Sequence, residues 1–561
     1  MTSSFAEAQD AFFAGFFRLY PVHATEAGNH EHDDRWPDLT EAGSAERLAW
    51  LADARARLEA LDGLAREEEI DRRVLLMTID ELRFDDEELD ESSWSPIVYT
   101  YLLGGGLFSL LSREFAPLET RLASAAGRME GIPATLDAAR ANLTSGRGRD
   151  VARFHVEKAI DTMPGVADLC RTAVEMAADA DEATKARVSA AAEPAIAAVD
   201  AFVAWMRDDL LPTAEGDFRL GRDLFERKFH HVLKATITPA ELEQRAEATF
   251  REVRAEMLRL ARELWADWVG ADEPMPDDPD QLTRRVLDAI GRDHPMADEL
   301  LDFCREEHRR IEAFIRERDL IGLADEPLQI IWTPPFLRAF GGAMLIPPGP
   351  LDRGLDSFFA ITPPPESWTD EQVESMLREN NARALRILTI HEAVPGHYLQ
   401  LAWSNRCDSL ARAVFGSGVF AEGWAVYVTQ VMMDAGYGAD DPALMLAHWK
   451  YFLRATTNTL MDIRIHTGDM TQEEAMSMMV DGGFQERSEA SEKWNRARLS
   501  STQLCSYFLG FQEFTDLERE ARRRQGDAFD RKAFLESCLS HGTPPMPILR
   551  DILLNVPSPT G

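Results

Sequence analysis

A mainly α-helical fold is predicted for this chain, on three observations. Apolar residues recur at spacings of three and four along most of its length. Pro- and Gly-rich sequence with short β-like runs is confined to one stretch, 327–366. No segment repeats with a period of about 20–50 residues, and no low-complexity linker divides the chain. The expected organisation is one large helical unit over 1–561 with a small β insert at 327–366.

Composition bounds the function. The 561 residues can bury a large core, and the apolar share of 45% is that of an ordinary globular protein. Sixty basic side chains stand against 97 acidic ones, a formal charge of −37. Such a field repels phosphate backbones and anionic lipid surfaces, so neither nucleic acid nor a membrane is an expected partner. The five cysteines are scattered and show no C-x-x-C, which fits reduced thiols in a cytoplasm. MTSSFAEAQDAFFAGFF at the start has no basic n-region, so no signal peptide is expected.

In chain order, the longest uncharged run is 94–112, WSPIVYTYLLGGGLFSLLS. Pro96 and the glycines Gly104–Gly106 argue for a buried core segment over a membrane span. ESSWSPI and GDFRLGRD read as connections. Residues 238–268 read as an amphipathic helix with Thr238 as N-cap and Pro239 at its first position. A loop dense in Pro and Asp follows. Within the insert, LQIIW, AMLI and SFFAIT read as a small sheet or extended hairpin. Helices resume at Thr369, which forms a capping box with Gln372.

The chemistry gathers at HEAVPGHYLQ, 391–400. The usual zinc-protease signature sets two histidines four apart on one helical face. Here His397 follows His391 by six residues. On a regular helix that spacing leaves the rings ~120° and ~9 Å apart, too far to share an ion. Pro395 has no N–H to give the His391 carbonyl, and its ring clashes there. Gly396 accepts almost any backbone angle. Together they can loop the chain and bring His397 back toward His391. Leu385, Leu388 and His391 share an inward face, with Glu392 beside it. Glu422, in VFAEGWAVYVTQVMM, shares a helical stripe with Ala425, Val426, Thr429 and Met433. A lone carboxylate buried there would cost several kcal/mol, so an ion, an arginine or a helix N-terminus must compensate it. One reading makes His391 a core histidine and Glu422 an arginine's partner. The other makes His391, His397 and Glu422 a zinc site with one open position. In that second reading Glu392 takes a proton from water and passes it to the leaving amine.

HEAVPGH with EGWAVY resembles the large bacterial family of domain of unknown function 885, placed among zinc-dependent metallopeptidases with a Glu as third ligand. YPVHATEAGNHEHDD, MDIRIHTGDMTQEEA and RARLSSTQLCSYFLG resemble further blocks of that family, so the likeness covers most of the chain. It implies a large helical, zincin-like fold with a deep cleft, a catalytic core over 369–510, zinc on His391, His397 and Glu422, and Glu392 as base. Arg464, Met470, Ala497 and Ser501 depart from the family pattern, while His466, Arg496, Gln503 and Tyr507 match it. Tyr507 is the first candidate donor to a developing oxyanion and His466 the second. Arg496, with Gln503 nearby, is the candidate for binding a substrate carboxylate through its planar fork. Each has a structural alternative: a core tyrosine hydroxyl, a structural histidine, an arginine on an acidic surface. His230 and His231 are adjacent, point to different faces and are read as structural.

The expected function is zinc-dependent hydrolysis of peptide bonds in short peptides, of a carboxypeptidase or dipeptidyl-carboxypeptidase kind. A non-peptide amide is an alternative substrate. A non-haem iron enzyme uses the same ligand types, yet no histidine has a Glu three residues before it and Glu392 has no role in that scheme. A non-catalytic helical protein with a structural metal would ordinarily need a fourth protein ligand, and only Cys407 lies near in sequence.

Overall fold

The computed structural model describes residues 4–334, 338, 342–352 and 354–555. It is 71% helix and carries one three-stranded sheet. The helices form where the apolar spacing and the caps agree. The chain divides into two compact units: Met1–Arg219 with Pro348–Leu355, and Leu220–Pro347 with Asp356–Gly561. Sequence composition pointed to one unit because the boundary has no linker character. It falls inside GDFRLGRD, and a segment from within the β insert completes the first unit.

The first unit is all helical in its described residues. The run at 94–112 contains the helix Ile97–Leu111, which buries Leu103, Leu107 and Leu110 and passes unbroken through its glycines. The longer stretch Glu182–Thr213 has the length and composition to cross a membrane. In this fold its Val188, Ala195, Val199 and Phe202 are buried. The early PVHATEAG block is a short helix, Pro21–Ala27, closed by Gly28 in the left-handed region at φ 86°. Thr25 accepts a hydrogen bond from the buried Arg128 and donates one to Asp33, both at 2.6 Å.

The second unit holds the chemistry. Pro239–Trp265 starts on Thr238 with a capping box to Glu241 and carries Pro239 at its first position. Its last expected residues wind as a wider π turn, Ala266–Gly270. The insert forms β1 (Leu328–Trp332), β2 (Ala343–Ile346) and β3 (Ser357–Ile361), in the order β1-β3-β2. β1 runs parallel to β3 and β2 antiparallel to it, so the insert is a sheet with β2 on one edge. The part of the insert at 335–337 and 339–341 lies outside the described residues. Phe359 and Ile361 of β3 pack in one apolar cluster with Leu385 and Ala393, so the sheet lies against the helix that carries His391. Thr369 caps Asp370–Glu379 with Gln372, as its spacing requires.

Candidate metal and catalytic site

His391 sits in the last turn of Ala382–Glu392, a helix capped by Asn381. The helix stops at Glu392, ahead of Pro395, and a second begins at His397 and runs to Ser404. Between them the Val394–Pro395 peptide is cis. A Cβ at Gly396 would lie 1.9 Å from the His391 carbonyl oxygen and 2.3 Å from that of Ile390, so only glycine allows the chain to fold back here. The result is the approach that a straight helix forbids. The two imidazole rings lie 4.8 Å apart at 86° to one another.

Gly418–Asp434, capped by Ser417, brings Glu422 to the same point. Its Oε2 is 3.5 Å from His397 Nε2 and 4.0 Å from His391 Nε2. One ligand-type atom from each of the three residues lies within 4.8 Å of the others, and no comparable group occurs among the described residues. Among the described residues Glu422 has no arginine ion pair; its near neighbours are the two imidazoles, with Arg496 acting through its charge. The rest of the EGWAVY motif explains itself structurally. Trp424 Nε1 donates to the Pro395 carbonyl at 2.8 Å and so pins the break between the histidines. Gly423 meets Gly510 of the Ser506–Gln525 helix, where an added Cβ would lie 2.3 Å from the Gly510 Cα. That contact joins the helix carrying Glu422 to the helix carrying Tyr507.

Tyr507, Arg496 and Gln503 come together beside Glu422. Arg496 Nη2 donates to Gln503 Oε1 at 2.9 Å and to the Tyr507 hydroxyl at 3.2 Å. His466 does not join them, which corrects its reading as a second oxyanion donor. Its Nε2 lies 3.0 Å from the Ala497 carbonyl and 2.9 Å from that of Ser500, and its Nδ1 accepts from the Leu220 N–H. Both ring nitrogens are spent on backbone, so this buried histidine props the end of the Arg487–Leu499 helix that bears Arg496.

Seven residues around the site escaped the sequence reading. Tyr451, on Pro442–Thr467, sets its ring 5.7 Å from that of His391. Asp462 accepts from the N–H groups of Thr502 and Leu504 and so fixes the turn that holds Gln503. Glu379 pairs with Lys450 at 2.8 Å and with Arg454. Arg454 also meets Glu489, which lies 3.4 Å from Lys493. The spacing of Lys493 and Arg496, three apart on a helix, was the one visible signal of this group.

Electrostatics follow from burial. Burial, then the charge of His397, pushes His391 down to about 3, so it is a neutral imidazole with a lone pair to give. Burial and the Glu422 charge raise the Glu392 carboxyl despite His397 nearby, and its carboxylate takes a hydrogen bond from the Leu345 N–H of β2. For Glu422 burial works upward, but the His397 hydrogen bond and the charges of both histidines and Arg496 hold it below the usual carboxylate range. Burial and the nearby Glu422 lift Tyr507 to about 12, so it stays a protonated donor. Burial pushes Lys493 down to about 8, and Arg454 and Arg496 add to the shift.

The donor set fits one zinc-sized cation. Two neutral-capable imidazoles and one carboxylate converge, and His391 Nδ1 is buried with no ordinary hydrogen bond beyond a weaker backbone interaction with Ala425. A cation among the three would engage the inward-facing nitrogens. Beside Tyr451, a solvent-open pocket is lined by Leu388, Tyr451, Arg454, Lys450, Glu379 and Arg284, among others.

Comparison with known proteins places the chain. A family model described as "Bacterial protein of unknown function (DUF885)" matches residues 21–553. A solved structure described as a "putative lipoprotein of unknown function" from Shewanella oneidensis is 32% identical, with a TM-score of 0.85 over 98% of this chain and 100% of that one. A second, a "putative lipoprotein" from Colwellia psychrerythraea, is 17% identical with a TM-score of 0.80 over 99% of both chains, and shares the fold. No curated protein matches. With a family match across nearly its whole length and a relative of 32% identity, this chain belongs to the DUF885 family.

Proposed function

We propose that the protein is a zinc-dependent hydrolase of a peptide or similar amide bond with a free carboxylate close to the scissile bond. The observation that carries this reading is the convergence of His391, His397 and Glu422, with Glu392 next to them and outside the ligand set. Zinc on those three residues would supply Lewis-acid activation of water and of the scissile carbonyl. Glu392 accepts the proton of the attacking water and delivers it to the amine as the C–N bond breaks. Its raised pKa makes it the better acceptor. Tyr507, held protonated, donates to the oxygen on which negative charge develops. Arg496, aligned by Gln503, binds the carboxylate. The Leu345 N–H of edge strand β2 meets Glu392, which favours an extended substrate laid along that edge. A zincin-like fold with a substrate cleft, and a carboxypeptidase or dipeptidyl-carboxypeptidase action, belong to this same reading. The two solved relatives are described as lipoproteins, which weighs toward an envelope setting in place of the cytoplasm.

The test is Glu392→Gln assayed on a library of short peptides beside its metal content. The variant is expected to keep about one zinc per chain and to lose hydrolysis by more than the roughly 100-fold typical of a lost general base. Loss of the metal together with activity would make Glu392 a ligand and overturn its role.

A further inference from the structure

The ion pairs beside Tyr451 do not balance. Three cations, Lys450, Arg454 and Lys493, meet two carboxylates, Glu379 and Glu489, and a fourth, Arg496, lies one turn beyond Lys493 with Glu422 and Asp462 as its nearby charges. The chain as a whole carries a charge of −37, so a cationic surplus gathered at one place runs against its composition. The carboxylates are used up in sequence. Glu379 joins Lys450 to Arg454, and Glu489 joins Arg454 to Lys493. Lys493 is one end of that chain, and Arg496 lies beyond it on the same helix. Among the described residues the ion-pair partner of Lys493 is Glu489 at 3.4 Å, a carboxylate that it shares with Arg454. Arg496 has neutral partners, Gln503 and the Tyr507 hydroxyl.

Position makes the surplus usable. Lys493 and Arg496 are three apart on Arg487–Leu499 and share a face. Lys493 feels the charge of Arg496, and Arg496 feels Glu422 and Asp462. Arg454 stands across from them on Pro442–Thr467, its guanidinium over the Tyr451 ring at 5.3 Å. Lys493 is mostly buried but keeps 13% of its side chain exposed, and Arg496 reaches solvent. A ligand can approach both. Burial holds the Lys493 ammonium down to about 8 although Glu489 works upward, with Arg454 and Arg496 adding to the lowering.

The geometry points to a substrate with two anionic groups: an amide whose amine half is an aspartyl or glutamyl residue, its α-carboxylate on Arg496 and its side-chain carboxylate on Lys493. Lys493 is then the specificity-determining residue, with Arg454 holding Glu489 so that Lys493 stays free to turn toward the ligand. The inference rests on reading His391, His397 and Glu422 as a hydrolytic centre, and its test separates the two.

Zinc-loaded wild type, Lys493→Met and Lys493→Arg are compared on N-acetylated peptides that end in Ala-Glu and in Ala-Gln. In parallel, glutarate and its monoamide are titrated into each protein by calorimetry. Wild type should cleave the Glu peptide at least about ten-fold faster in kcat/KM than the Gln peptide, the scale of one charge-assisted contact. Lys493→Met should bring that ratio to about one, and Lys493→Arg should keep it. Glutarate should bind wild type at least about ten-fold tighter than the monoamide, and lose that advantage in Lys493→Met. If no peptide is cut but glutarate binding behaves this way, the anion site stands and the hydrolytic reading falls. Peptides cut without preference for Glu, or a glutarate advantage that survives in Lys493→Met, would overturn the inference and leave the hydrolytic reading in place.

Discussion

His30 stands between two carboxylates, with Nδ1 2.8 Å from Asp33 and Nε2 3.0 Å from Asp352, its ring stacked on Phe115 at 3.9 Å. Burial alone would lower this imidazole, but the two carboxylate hydrogen bonds outweigh it and raise it to about 9. His391 is the opposite case, buried without such partners and pushed down to about 3. Both begin a His-Glu pair in the sequence, and only the surroundings tell the salt-bridged histidine from the ligand-type one. The raised value has a consequence for stability. The His30 contribution is complete below the unfolded value of about 6.5 and is lost as pH rises through about 9. In urea unfolding, wild type should exceed His30→Gln in stability at about pH 6, and the gap should shrink by about pH 9.5. A gap that stays constant with pH would show that His30 does not titrate between the two states.

Short elements with special backbone needs carry the site. Pro395 and Gly396 made the helix break legible from the sequence, because a missing N–H and a missing Cβ act locally. The Thr238 and Thr369 caps were legible for the same reason. The paired glycines Gly423 and Gly510 were not, since each looks ordinary until the two helices are brought together. An Ala at position 423 would place its Cβ 2.3 Å from the Gly510 Cα, against backbone that cannot step aside. Gly423→Ala should therefore cost about 1–3 kcal/mol in denaturant unfolding, the range of an overpacked core. A change within about 0.5 kcal/mol would mean that the two helices can part without loss. His466 and Lys493 mark the limit of sequence reading. His466 depends on carbonyls at the end of another helix, and the Glu489 that pairs with Lys493 is shared with Arg454 from a different helix, which spacing along one helix does not encode.

For the whole molecule, helical class, the position of the three-stranded sheet and the meeting of His391, His397 and Glu422 were readable from periodicity and motif. The two-unit division was not, because the chain crosses from one unit to the other without a change in composition and then returns through Pro348–Leu355. What the second unit builds from its parts is a single meeting point for two imidazoles and a carboxylate, drawn from helices 25 residues or more apart at Glu422 and His397. The most direct test is calorimetric titration of chelator-treated protein with zinc, in wild type, His397→Ala and Glu422→Gln. Wild type is expected to bind one ion per chain, and each variant to weaken that binding by more than the roughly 10–100-fold that loss of an outer partner costs. A wild type that takes up no zinc, or variants that bind it as tightly as wild type, would contradict the account.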